Sequence, residues 1–167
     1  GATADLTFSD AATQATGTFT TSAVAEVLAT DTSAALTNGG TLTVTAVTGG
    51  IAGGAGGNTY DLDLIDSNDS GAAVNSVVLN GTTIEVTADL TSGVTLNAIK
   101  AAIDAHDFGS GAGADFATSV TSGATNVVAA DEAAAVVALA GGADAVAANT
   151  ITVTALAGGA AEGLAGN

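Results

Sequence analysis

Ser76-Val77-Val78-Leu79-Asn80-Gly81-Thr82-Thr83-Ile84-Glu85-Val86 is the stretch from which the fold is read. Two runs rich in β-branched residues flank Asn-Gly, the pair that most readily accepts positive φ at both positions of a type I′ turn. The stretch therefore predicts an antiparallel hairpin whose apolar residues share one face. Apolar residues alternate with polar ones on either side of it. Thr41-Leu42-Thr43-Val44-Thr45-Ala46-Val47 predicts a half-buried strand, and so does Thr59-Tyr60-Asp61-Leu62-Asp63-Leu64-Ile65. Shorter alternations, Asp5-Leu6-Thr7-Phe8-Ser9 and Gly17-Thr18-Phe19-Thr20, add two strands near the start. Residues 116–120 and 151–156 add two more.

The period changes beyond the hairpin. Leu96, Ile99 and Ile103 follow helical spacing, with Thr95 as N-cap and Gly109 just past the end, so residues 95–106 predict a helix. Residues 130–140 predict a second helix. Asp131 and Glu132 stand in its first turn, Val136, Val137 and Leu139 form its apolar side, and Gly141-Gly142 stops it. Residues 22–29 fit either a short helix or a strand. The fold class expected is α+β, mainly an antiparallel β-sheet or sandwich with two short helices packed on one face.

An internal repeat organises the chain. Residues 41–58, TLTVTAVTGGIAGGAGGN, align without a gap on residues 150–167, TITVTALAGGAAEGLAGN, at an offset of 109, with 11 of 18 positions identical. This divides the chain into a β-rich segment at 1–40, half of a preceding repeat; an α+β module at 41–149; and a strand at 150–167 that repeats 41–58. Two assembly arrangements satisfy the repeat. One is a longer array of such modules, and the other is a strand exchanged with a neighbour's sheet edge by β-augmentation. A duplication within a monomer is the third. The strands at 41–47 and 150–156 are the expected assembly elements.

Composition excludes more than it includes. Among 167 residues there are 17 acidic side chains and one basic one, Lys100, for a net charge of −16. A nucleic-acid or anionic membrane partner needs Lys and Arg, so neither is expected. With no Cys there is no disulfide framework and no thiolate metal site. No run of 18 apolar residues escapes Gly or a charge, so no transmembrane helix is expected. The remaining acidic residues read as a solvated face that keeps a lightly charged protein soluble.

Three stretches invite a chemical reading. Asp66-Ser67-Asn68-Asp69-Ser70-Gly71 resembles the start of a calcium loop, making Asp66, Asn68 and Ser70 candidate ligands for calcium. Val77 stands where such a loop puts a bidentate Glu, which favours a plain polar turn. Asp104, His106 and Asp107 lie together at a helix end, but their spacing does not bring them to one face. Gly49-Gly50 and Gly53-Gly54-Ala55-Gly56-Gly57 lack the Lys and the helix start of a phosphate loop, and read as a flexible or closely packed connection. None of the three supports catalysis, so no enzyme is expected.

The order of elements resembles a module of tailed-bacteriophage structural proteins and of large bacterial surface repeat proteins. Leu42 to Ala46, Gly57-Asn58, Thr82 to Val86, Ile99 to Ala105 and Leu139 to Gly142 carry the resemblance. It implies a non-enzymatic structural subunit on the exterior of a virion, a capsid decoration or tail component. Its partners would be copies of itself and other structural subunits, so a homo-oligomer is expected. The alternative is an extracellular bacterial filament, adhesin or surface-layer repeat module on the cell surface.

Overall fold

Period-two alternation becomes strand almost wherever it occurs in the computed structural model, which describes residues 7–8, 16–68, 71, 73–111 and 114–154. In chain order, strands β1 (Thr7–Phe8), β2 (Thr16–Thr20), β3 (Thr30–Thr32), β4 (Thr41–Ala46) and β5 (Asp61–Asp66) come first. Next are β6 (Val74–Asn80), β7 (Thr83–Ala88), β8 (Val94–Thr95) and the helix α1 (Leu96–Asp104). The chain continues through β9 (Phe116–Thr121), β10 (Asn126–Val127), β11 (Val137–Ala138) and β12 (Thr150–Thr154). Strand takes 41% of the structure and helix 13%, which makes it α+β with antiparallel β predominant.

The chain divides into two units, residues 1–25 with 145–167, and residues 26–144. The larger unit contains nearly all of the 41–149 stretch and adds residues 26–40. One of its sheets runs β11-β5-β7-β6 and a second runs β3-β4-β9. Alternate residues point inward from both sheets, so β4, β5 and β7 each bury Leu or Ile and then Leu or Val in turn. Leu42, Val44, Leu62, Ile84, Val86 and Phe116 join Leu96, Ile99 and Ile103 of α1 in one apolar cluster. Each large side chain buried there contributes roughly 1.5–3 kcal/mol relative to exposure. α1 starts where Thr95 accepts a hydrogen bond from the Ala98 N–H at 3.3 Å, as its N-cap role requires.

The hairpin forms, with its turn one residue further on than Asn80-Gly81. Asn80 is paired with Thr83, which leaves Gly81-Thr82 as the loop. Gly81 alone takes a positive φ, +64°, the pattern of a type II′ turn with Gly in its first central position. The slip moves the pairing by two residues, so each side chain keeps its face. β5 pairs with β7 in parallel, because the chain crosses from β5 to β6 at the edge of this sheet before returning as β7 between them.

The second expected helix is absent. Residues 130–140 instead form a 3-10 turn, Ala129–Asp131, and then β11, which pairs with Leu62 and Asp61 of β5. Two tertiary bonds outcompete the helical ladder. The Asp131 carboxylate turns inward to Thr37, and the Leu139 N–H donates to the Tyr60 carbonyl at 3.0 Å.

Residues 22–29 are neither helix nor regular strand. Within the larger unit, Val27 exchanges backbone bonds with Ala143, and the Thr30 N–H donates to the Ala140 carbonyl. Within the smaller unit, Val24 exchanges bonds with Val146, and the Thr21 N–H reaches Asn149. The smaller unit is a three-stranded antiparallel sheet, β1-β2-β12.

Candidate functional site

β12 presents the most distinctive surface among the described residues. It pairs along its whole length with β2, from Thr150 opposite Thr20 to Thr154 opposite Thr16, and among the described residues it ends the sheet. Residues opposite each other in an antiparallel pair point to the same face. Ile151 therefore lies beside Phe19, and Val153 beside Gly17, while every Thr points the other way. Ile151 and Val153 are each 60% exposed, and Val24 and Val146 of the same unit are exposed as well. The described residues of this unit, 7–8, 16–25 and 145–154, include no Asp, Glu, Lys or His.

The same pentapeptide pattern elsewhere in the chain has the opposite fate. Thr41-Leu42-Thr43-Val44-Thr45 is paired on one side with β3 and on the other with β9. Leu42 is 2% exposed and Val44 is fully buried. β4 thus has no free edge, which removes it as an assembly strand. The remainder of the 150–167 repeat, residues 155–167, lies outside the described residues.

The calcium-like stretch is held by donors. The Asp66 Oδ1 accepts from the Leu90 N–H at 3.0 Å and from the Asn68 N–H at 3.2 Å, and Oδ2 accepts from the Thr91 hydroxyl at 3.3 Å. The Asp66 N–H in turn donates to the Glu132 carboxylate at 2.6 Å. Asn68 takes a positive φ of 52°, and Ser70 lies outside the described residues. A carboxylate surrounded by N–H and O–H donors serves a turn. Among the described residues, no group of three His, Asp or Glu side chains is placed to hold a metal ion.

Asp104, His106 and Asp107 go separate ways. Asp104 accepts from the Thr118 N–H and hydroxyl, both at 2.7 Å, and pairs with Lys100 one turn back. Asp107 accepts from the Gly109 N–H at 2.8 Å. The His106 ring packs on Phe108 with centroids 4.4 Å apart. The Gly-rich stretch is a close-packed connection in which residues 54–59 form a 3-10 turn. Asn58 exchanges two bonds with the Gly142 backbone, at 2.7 and 3.0 Å. A Cβ on Gly57 would sit 2.5 Å from the Ala52 carbonyl oxygen, so a larger residue does not fit.

The expectation of a uniformly solvated acidic face is overturned. Asp89 and Asp115 are fully buried and Asp131 is 1% exposed. Asp115 accepts from the N–H groups of Ile51 at 3.0 Å and Phe108 at 2.7 Å. Asp131 accepts from the Thr37 N–H at 2.7 Å, the Thr37 hydroxyl at 2.5 Å and the Val128 N–H at 3.0 Å. Asp89 accepts from the N–H groups of Gly71 at 2.7 Å and Ser92 at 3.0 Å.

Burial opposes the charged form at Asp104, Asp115 and Asp131, yet hydrogen bonds outweigh it and hold all three below the usual carboxylate range. At Asp89 the Ser92 bonds lead in the same direction. Asp104 ties α1 to β9, and Asp89, Asp115 and Asp131 tie one connection to another with backbone donors in place of cations. The sequence carried a faint signal of this, Asp three residues from Ser in Asp89-Leu90-Thr91-Ser92.

In comparisons with known proteins, no family model, curated protein or solved structure matches the chain.

Proposed function

We propose that the chain is a non-enzymatic structural subunit of a virus particle, a phage capsid decoration or tail component on the virion exterior. It assembles with copies of itself and with other structural subunits through strand edges. The observation that carries this reading is β12, an uncharged edge strand that leaves Ile151 and Val153 60% exposed. Soluble proteins usually guard such an edge with a charge, a Pro or a bulge, and β12 has none of these. The acidic surface elsewhere repels both a packaged genome and indiscriminate association, so contacts are confined to the neutral strand. The resemblance of the order of elements to a module of phage structural proteins is in keeping with the same reading.

The repeat at an offset of 109 favours a second reading, an extracellular bacterial filament, adhesin or surface-layer module. One experiment separates the two. Antibodies against the chain, applied to density-purified particles under the electron microscope, should label the particle exterior. Mass spectrometry of the same particles should find the chain in stoichiometric amount. Labelling of cell surfaces with none on particles would replace the first reading by the second.

A further inference from the structure

Thr150-Ile151-Thr152-Val153-Thr154 has the same polar–apolar pattern in both directions. A strand of that kind can lie antiparallel to a copy of itself about a two-fold axis and keep its apolar residues on one face. We infer that β12 pairs with β12 of a second copy, with Thr152 opposite Thr152. The proposal rests on the strand-edge reading above and fixes its partner, symmetry and register.

In this register Ile151 of each copy stands opposite Val153 of the other, two cross-strand pairs of β-branched side chains on one face. The two sheets join into one six-stranded sheet, β1-β2-β12 continued by β12-β2-β1 of the second copy. The strand's self-matching pattern selects the occupant, and charge selects the place of contact. Two copies that each carry −16 repel, and the smaller unit, whose sequence holds Asp5, Asp10 and Glu162 against fourteen acidic residues in the larger one, is where they approach at least cost. The outer edge at β6 is less suited, since a bulge between Val74 and Ser76 interrupts its register. A five-residue strand pair belongs to the small, transient class of interface, so the dimer forms reversibly and at high protein concentration.

The chain has no cysteine, so single cysteines report the register without background. Opposed residues in an antiparallel pair have Cα atoms about 4.5–5.5 Å apart, within the span a disulfide bridges. Oxidation of Thr152→Cys should therefore give a covalent dimer. Thr150→Cys alone should not, because its two copies lie roughly 14 Å apart in this register. Mixing Thr150→Cys with Thr154→Cys should restore the cross-link.

By sedimentation, the native chain should dimerise reversibly. The double variant Ile151→Glu/Val153→Glu, which sets like charges opposite each other at exposed positions, should be monomeric with unchanged circular dichroism. A native chain that stays monomeric at the highest concentration overturns the proposal. So does a dimer that survives the double variant, or one that Thr150→Cys cross-links as well as Thr152→Cys does. Particle labelling with no such dimer would leave the virion reading standing and remove this one alone.

Discussion

Asp115 keeps its charge at zero exposure because the N–H groups of Ile51 and Phe108 point at it from two loops. Asp131 does the same for Thr37 and Val128, and Asp89 for Gly71 and Ser92. Asp131→Ala would take from Thr37 and Val128 the acceptor they share, at about 0.5–1.5 kcal/mol for each hydrogen bond lost. Urea denaturation should show that loss, with little change from Asp107→Ala in the exposed connection after α1. The same carboxylates set the acid limb. Their folded pKa values lie below the unfolded one, so their stabilisation is complete above the ordinary carboxylate range, near pH 4. It drains away as pH falls through the folded values. Thermal scans should show the melting temperature dropping below about pH 4, and Asp131→Asn should flatten that limb. A melting temperature unchanged down to pH 3 would refute this role. Sequence spacing missed these residues because their donors come from loops as far as 94 positions away.

Two nearly identical segments, TLTVT and TITVT, show how far an element's meaning depends on its neighbours. Both are strands, as their alternation predicts. One is enclosed by β3 and β9 and buries Leu42, while the other ends its sheet and exposes Ile151. Leu42→Ala should cost about 2–5 kcal/mol. Ile151→Ala, in nearly the same local sequence, should stay within about 0.5 kcal/mol when measured at low protein concentration. Equal losses in the two variants would show that β12 is buried after all. The hairpin and α1 were legible because their signals are local, a Gly that accepts positive φ and an apolar stripe capped by Thr95. Residues 130–140 were not, because the bond from Leu139 to Tyr60 and the ladder from Val137 to Leu62 reach across the fold. Helical spacing in so short a segment is too weak a preference to resist them.

At the scale of the whole molecule the charge is one-sided, and only Lys100, paired with Asp104, answers it. Self-repulsion then works against the compact state. Raising salt from 0.1 M to 1 M shortens the screening length from about 10 Å to about 3 Å, so the melting temperature should rise with sodium chloride. The β12 dimer should tighten in the same titration. A falling melting temperature would mean that attractive ion pairs dominate. The sequence by itself determined the α+β class, most of the strands, the first helix and the net charge of −16, because each follows from a local period or from a total that folding does not alter. Only the tertiary structure decided which copy of the repeated strand is interior and which is edge, and which aspartates are buried. Those outcomes depend on donors and strands distant in sequence, and a pattern repeated 109 residues apart contains no record of what will lie beside it.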